Sequence, residues 1–87
     1  MAAWVYLVRC RDGSLYCGWT TDVAKRVNAH NAGKGAAYTR SRKPVVLVWC
    51  DECADRSAAL RREAAIKRLP RTRKLTLVKS GSPDPVR

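Results

Sequence analysis

Apolar positions fall in two short runs at the start of the chain, 4–10 (WVYLVRC) and 14–19 (SLYCGW), both rich in β-branched and aromatic residues. Between them lies Arg11-Asp12-Gly13, a strong turn signal, so the pattern predicts a β-hairpin. The length of the turn decides which side chains share a face. A two-residue turn at Asp12-Gly13 pairs Cys10 with Leu15 and puts Tyr6 and Tyr16 on opposite faces. A three-residue turn, with Gly13 in the left-handed region as a bulge, pairs Cys10 with Ser14. Tyr6 then faces Gly18, Tyr16 faces Val8, and both phenols lie on one side. We expect the bulged form, with open space at Gly18 beside Tyr6.

Downstream, Thr20-Thr21-Asp22 offers N-caps for a helix over 22–31. At 100° per residue Val23, Arg26, Val27 and His30 share an arc of about 100°, so Arg26 and His30 border the stripe that faces the sheet. Residues 32–44 (AGKGAAYTRSRKP) read as a cationic loop suited to binding contacts. The uninterrupted apolar run 45–50 (VVLVWC) reads as a third strand, central or well covered. Asp55 or Ser57 caps a second helix over 56–69, and Pro70 opens a third over 70–78 at its favoured first position. The remainder, SGSPDPVR from Ser80, reads as a disordered tail behind a single domain spanning 1–79.

The second helix carries one carboxylate. On a helical wheel Ala64 and Lys67 flank Leu60 on its two sides, and Glu63, Ala59 and Ile66 follow in turn beyond Lys67. Glu63 thus sits in the apolar arc, apart from Arg61, Arg62 and Arg68. An inward carboxylate is costly unless paired. Its partner is either Lys67, four residues on, or a metal ion.

Composition narrows the field. Eighty-seven residues allow one domain. Such a chain buries only about 60–65% of its unfolded surface, and an apolar fraction of 46% argues against global disorder. Eighteen Lys and Arg against seven Asp and Glu give a net charge of +11 and point to a polyanionic partner. No 18-residue apolar run is present, and Arg9 ends the opening run too early for a signal peptide, so a cytoplasmic protein without membrane attachment is expected. Of the four cysteines, only Cys50 and Cys53 have tight spacing; buried thiols packed as small hydrophobes are expected rather than a zinc site or a disulfide.

A tyrosine on each strand of one hairpin, Arg26 and His30 at i, i+4 on the next helix, and Glu63 on a later one form a set suited to one divalent ion and a phosphodiester. Each alone is most often structural; their order carries the signal. VYL at 5–7, YCG at 16–18, Arg26 in DVAKRVNAH and Glu63 in ALRREAAIK resemble the GIY-YIG nuclease superfamily. The longer stretches DGSLYCGWTTD, GKGAAYTRSRKP and RSAALRREAAIKRL resemble its small, single-domain bacterial branch (UPF0213-like), and the likeness covers about residues 4–78.

The resemblance implies an α+β fold: a small three-stranded antiparallel sheet flanked by about three helices. It implies a shallow site for one Mg²⁺ or Mn²⁺ with Glu63 as metal ligand. Arg26 would steady charge on the scissile phosphate, Tyr6 and Tyr16 would stand beside the attacking water, and His30 would match a histidine of many members. Tyr38 falls where several members place another polar site residue. Trp4-Val5 stands for the family's Gly-Ile and Cys17 for its middle Ile, both packing positions. The asparagine that many members carry after the glutamate is absent.

The expected activity is metal-dependent hydrolysis of DNA with little sequence preference and a leaning, by analogy with the family, to nicked, flapped or branched substrates. Tyr6 is the preferred base. Lys34, Tyr38, Arg40, Arg42, Lys43, Arg62 and Lys67, with further Arg and Lys at 61–74, would grip the backbone without reading bases. RNA stays open because nothing reads the sugar. The alternatives are a non-catalytic nucleic-acid-binding module and a subunit that cuts only when a protein partner places the substrate. A monomer is expected.

Overall fold

The structure is a computed structural model and describes residues 2–80. The hairpin forms as the bulged version requires. β1 (Ala3–Arg9) and β2 (Leu15–Thr20) pair antiparallel with Tyr6 opposite Gly18 and Val8 opposite Tyr16. Cys10 N–H donates to Ser14 C=O at 2.8 Å and Gly13 N–H to Cys10 C=O at 2.9 Å. Gly13 has φ of 86°, the left-handed conformation that a three-residue turn needs. Asp12 closes the turn by accepting from the Ser14 backbone and hydroxyl.

β3 (Val46–Cys53) is also antiparallel to β1, giving the order β2-β1-β3. The third strand is therefore an edge and not the centre, and Val46 is 52% exposed. β1 holds the centre because its side chains are buried on both faces, Val5 and Leu7 on one and Tyr6 and Val8 on the other. A bulge opposite Leu7 and Val8 takes up one residue of β3.

α1 (Val23–Asn31) starts at Asp22, whose carboxylate accepts from Lys25 N–H at 3.1 Å. α2 (Ala37–Arg40) is one helical turn inside the expected loop. α3 (Arg56–Lys67) is capped by Asp55, which accepts from Ala58 N–H at 2.8 Å. α4 (Arg71–Ser80) begins one residue later than expected, with Pro70 C=O accepting from Arg73 and Lys74. Ser80 belongs to this helix rather than to a tail; the rest of the expected tail lies outside the described residues.

Two cores flank the sheet. Val5, Leu7, Cys17 and Trp49 pack against Ala59 and Ile66 of α3 and against Leu77 and Val78 of α4. Tyr6, Val8, Cys10 and Cys50 pack on the other face with Val27 of α1 and with Val45. The four cysteines are thiols, and three of them are buried. α3 is rotated from the expected wheel: Ala59 and Ile66 are its buried residues, whereas Leu60 is 40% exposed.

Candidate active site

The register sets Tyr6 and Tyr16 on the α1 face, and α1 brings His30 down onto both. Tyr6 is 1% exposed and His30 fully buried. The Tyr6 hydroxyl lies 2.7 Å from His30 Nε2, and His30 Nδ1 lies 2.7 Å from Thr39 Oγ1. Both tyrosine rings meet the imidazole edge to face, at 5.9 Å and 5.4 Å between centroids.

The space expected at Gly18 is filled by Tyr6 itself. A Cβ at Gly18 would fall 2.5 Å from the phenolic oxygen and 2.7 Å from Cζ. Glycine is required here for the ring to lie flat on its neighbour strand, not to admit a substrate.

Burial pushes the Tyr6 phenol up to about 12, with the Arg26 guanidinium pulling the other way. Burial and the same guanidinium hold His30 below its ordinary value. Arg26 stands at the rim, its Nε buried without a hydrogen-bond partner. It lines a cleft of about 400 Å³ with Thr20, Thr21, Asp22, Lys25 and Ala29. A buried guanidinium nitrogen with no acceptor suits an incoming phosphate oxygen.

Glu63 arrives from the other face. α3 packs on the side of Leu7 and Cys17, so the carboxylate joins the phenols only around the β2 edge. Its charge and burial together push the Cys17 thiol up to about 11, burial being the larger cause. The Glu63 side chain is 17% exposed and Lys67 Nζ lies 3.5 Å from its carboxylate, so the ordinary i, i+4 pair is formed. Lys67 Nζ also lies 6.0 Å from the Tyr16 ring centroid. Tyr16 is thus the residue that both halves of the site touch.

Among the described residues no three His, Cys, Asp or Glu side chains come together. Such a donor set does not suit zinc, which takes three or four protein ligands. It fits a hard cation that keeps most of its water and is held by one carboxylate and substrate phosphates. Glu63 is the carboxylate that α3 brings to this edge.

The expected backbone-gripping residues divide in two. Lys34, Arg40 and Lys43 are exposed and, among the described residues, form no ion pair. Arg42, by contrast, bonds Asp12 at 3.1 Å and Tyr38 C=O at 2.9 Å, and lies 4.0 Å over the Tyr38 ring. Tyr38 in turn stacks on Tyr16 at 5.8 Å. Arg62 is not brought to the site: it pairs with Asp51 of β3, on the opposite edge of the sheet. Thr39, which is not expected from the sequence, is the residue beside Tyr38 that touches His30. Its place a short way beyond His30, in a tight Gly-Ala-rich segment, is its one sequence signal.

This arrangement of hairpin phenols, helix-borne Arg and His, and a carboxylate from a later helix is that of a nuclease superfamily. Residues 2–76 match the family model of the GIY-YIG catalytic domain, and the chain belongs to that family. Within it, the chain is similar to the UPF0213 protein DP2720 of Desulfotalea psychrophila, 59% identical over 91% of this chain and 74% of the relative. It is also similar to the UPF0213 protein SH2523 of Staphylococcus haemolyticus, at 51% identity over 86% of this chain and 92% of the relative. Among solved structures, the solution NMR structure of the UPF0213 protein BH0048 of Bacillus halodurans is 44% identical, with a TM-score of 0.58 over 91% of this chain and 84% of that one. The solution NMR structure of EF2693 from E. faecalis is 39% identical, with a TM-score of 0.62 over 92% and 85%. No helix among the described residues is long and apolar enough to cross a membrane.

Proposed function

We propose that the protein is a metal-dependent DNA endonuclease that hydrolyses phosphodiester bonds with little sequence preference and favours nicked, flapped or branched DNA. The observation that carries this reading is the 2.7 Å contact between the Tyr6 hydroxyl and His30 Nε2, next to an Arg26 whose Nε lacks a partner. A phenol with a pKa near 12 is a poor base alone; a phenol that passes its own proton to a neutral imidazole as it takes another is a competent one. The choice of Tyr6 rests on this bond alone, because the room expected beside it at Gly18 is filled by its own ring.

In the proposed reaction a water proton goes to the Tyr6 oxygen while the Tyr6 proton goes to His30 Nε2. The water oxygen bonds to phosphorus in line as the opposite P–O bond breaks, and the leaving oxygen takes a proton from solvent. Arg26 holds the non-bridging oxygens. An Mg²⁺ or Mn²⁺ ion held by Glu63 would supply Lewis-acid stabilisation of the charge on phosphate and leaving oxygen. Lys67 releases Glu63 and turns to the substrate backbone. Lys34, Arg40 and Lys43 contact phosphates flanking the site and read no bases. The protein acts in the cytoplasm as a monomer, and a protein partner adds whatever specificity the domain lacks.

The test is cleavage of end-labelled duplex, nicked, flapped and four-way DNA with Mg²⁺, Mn²⁺ or EDTA, using Glu63→Gln as the matched control. Cutting that requires metal and disappears in Glu63→Gln is the expected result. If neither protein cuts and both bind DNA in a salt-sensitive way, the chain is a binding module or a subunit that needs a partner.

A further inference from the structure

The buried line from Tyr6 to Ala36 contains more than the base and its proton acceptor. His30 Nδ1 lies 2.7 Å from Thr39 Oγ1, and Thr39 Oγ1 lies 3.0 Å from Ala36 C=O. The Thr39 hydroxyl donates to Ala36 C=O, which also accepts from Thr39 N–H and Arg40 N–H at 3.2 Å. Thr39 Oγ1 then meets Nδ1 with a lone pair, which requires the hydrogen of the neutral ring to sit on Nδ1. Nε2 is left bare toward Tyr6, whose O–H donates to it. Each hydrogen on Tyr6, His30 and Thr39 then has an acceptor, as buried polar groups require, and only Ala36 N–H faces a ring N–H.

The opposite tautomer has its own support in Ala36 N–H, which lies 3.5 Å from Nδ1, the longest contact in the group. That arrangement places the ring hydrogen on Nε2, pointing at the Tyr6 oxygen. The Tyr6 hydrogen, on a residue 1% exposed, would then have to turn away from its 2.7 Å contact with Nε2. The short contacts therefore favour the Nδ1–H form. Which nitrogen of a histidine carries the proton is decided by the partner of the other.

We infer that Thr39 is a positioning residue that holds His30 as the Nδ1–H tautomer, so that Nε2 is free to take the proton of Tyr6. The role in turnover rests on the nuclease reading; the tautomer does not. It also explains why α2 exists: one helical turn, with no side-chain cap of its own, sets the Thr39 hydroxyl between a carbonyl and an imidazole. Thr39 touches no substrate atom and acts only through His30.

The chain has a single histidine, so its ring nitrogens give one unambiguous set of signals. Long-range ¹H–¹⁵N correlation spectra of uniformly labelled protein at pH 7.5 distinguish protonated from bare ring nitrogen. The wild type is expected to show Nε2 bare. Thr39→Val, of nearly the same shape, is expected to move the proton to Nε2, with Ala36 N–H now facing Nδ1, while Thr39→Ser keeps the wild-type pattern. In the cleavage assay Thr39→Val is expected to lower kcat by about 10- to 100-fold with KM within about twofold, and Thr39→Ser to restore it. A wild type protonated on Nε2, or a Thr39→Val ring unchanged from wild type, overturns the inference. Full cutting by a Thr39→Val protein with a switched tautomer overturns the catalytic role. If the wild type cuts nothing, the nuclease reading fails separately, and the spectra still decide the tautomer.

Discussion

Gly18→Ala isolates the contact on which the site is built. Gly18 is not among the glycines with positive φ, so the β2 backbone accepts alanine without strain. Were the position open, the substitution would stabilise by about 0.4–1 kcal/mol through the unfolded chain. The structure predicts the opposite sign. The new methyl would fall 2.5 Å from the Tyr6 oxygen, 2.7 Å from Cζ and 3.1 Å from Cε2. The ring cannot swing aside, because it is 1% exposed and its hydroxyl is held by His30. Overpacking of this kind costs about 1–3 kcal/mol. Breaking the buried Tyr6–His30 bond adds about 1–3 kcal/mol. Less the unfolded-chain gain, the net loss is about 1–5 kcal/mol, or roughly 4–40 °C in Tm for a domain of this size. Urea unfolding of the single variant, of Tyr6→Leu and of the double variant closes the cycle. In the Tyr6→Leu background the alanine should be neutral or stabilising, since the clashing atoms are gone. An equal loss in both backgrounds, or no loss in the wild type, would refute the argument.

Three further expectations concern charge. Tyr6 sits near 12 in the folded protein against 10 in the unfolded chain, so the folded state holds its proton longer. That stability is complete below pH 10 and is lost, by about 2–3 kcal/mol, as pH rises toward 12; urea melts should show this slope and Tyr6→Phe should lack it. His30 is displaced downward, so its contribution is present above pH 6.5 and declines on acidification below it; a His30→Gln protein should be flatter there. Replacing Lys34, Arg40 and Lys43 together by Gln should cut the slope of log binding constant against log salt on duplex DNA by about 2–3. Arg42→Gln and Arg62→Gln should change that slope by less, because both cations already hold a carboxylate. Equal effects from the two sets would show that those pairs open on binding.

The hairpin was legible because its turn signal is local, but Asp12 and Gly13 allow two registers; the bulged one was expected because only it lets both phenols reach one site, and Gly13 at φ 86° adopts it. Helix starts were legible for the same reason, through Asp22 and Asp55. What failed depended on packing at a distance. An apolar run at 45–50 says that β3 is covered, but not that β1 lies between it and β2. The wheel of α3 was laid out around Leu60, whereas the residues the helix buries are Ala59 and Ile66. Gly18 read as vacancy because a sequence shows the missing side chain and not the ring that occupies its place. α2 had no periodicity to find; its one turn is held by what Thr39 bonds, nine residues from His30.

The split across the β2 edge has a chemical logic. The half that the proposed reaction gives the proton, Tyr6, His30 and Thr39, is buried and fixed by contacts of 2.7 Å. Proton transfer demands that fixity, since its efficiency depends on donor and acceptor staying within hydrogen-bond reach. The half that the same reaction gives the charge, Glu63 and Lys67 on α3, is less buried, and its ion pair is loose at 3.5 Å, while Arg26 stays with the phenols on the α1 face. A polyanion brings its own phosphates to rearrange such a pair, so a fixed geometry there would gain little. A domain of 87 residues has one small sheet on which to mount both halves. Placing them on opposite faces of an edge strand lets each keep its own environment. Tyr16, in contact with His30, Tyr38 and Lys67, is where the two meet.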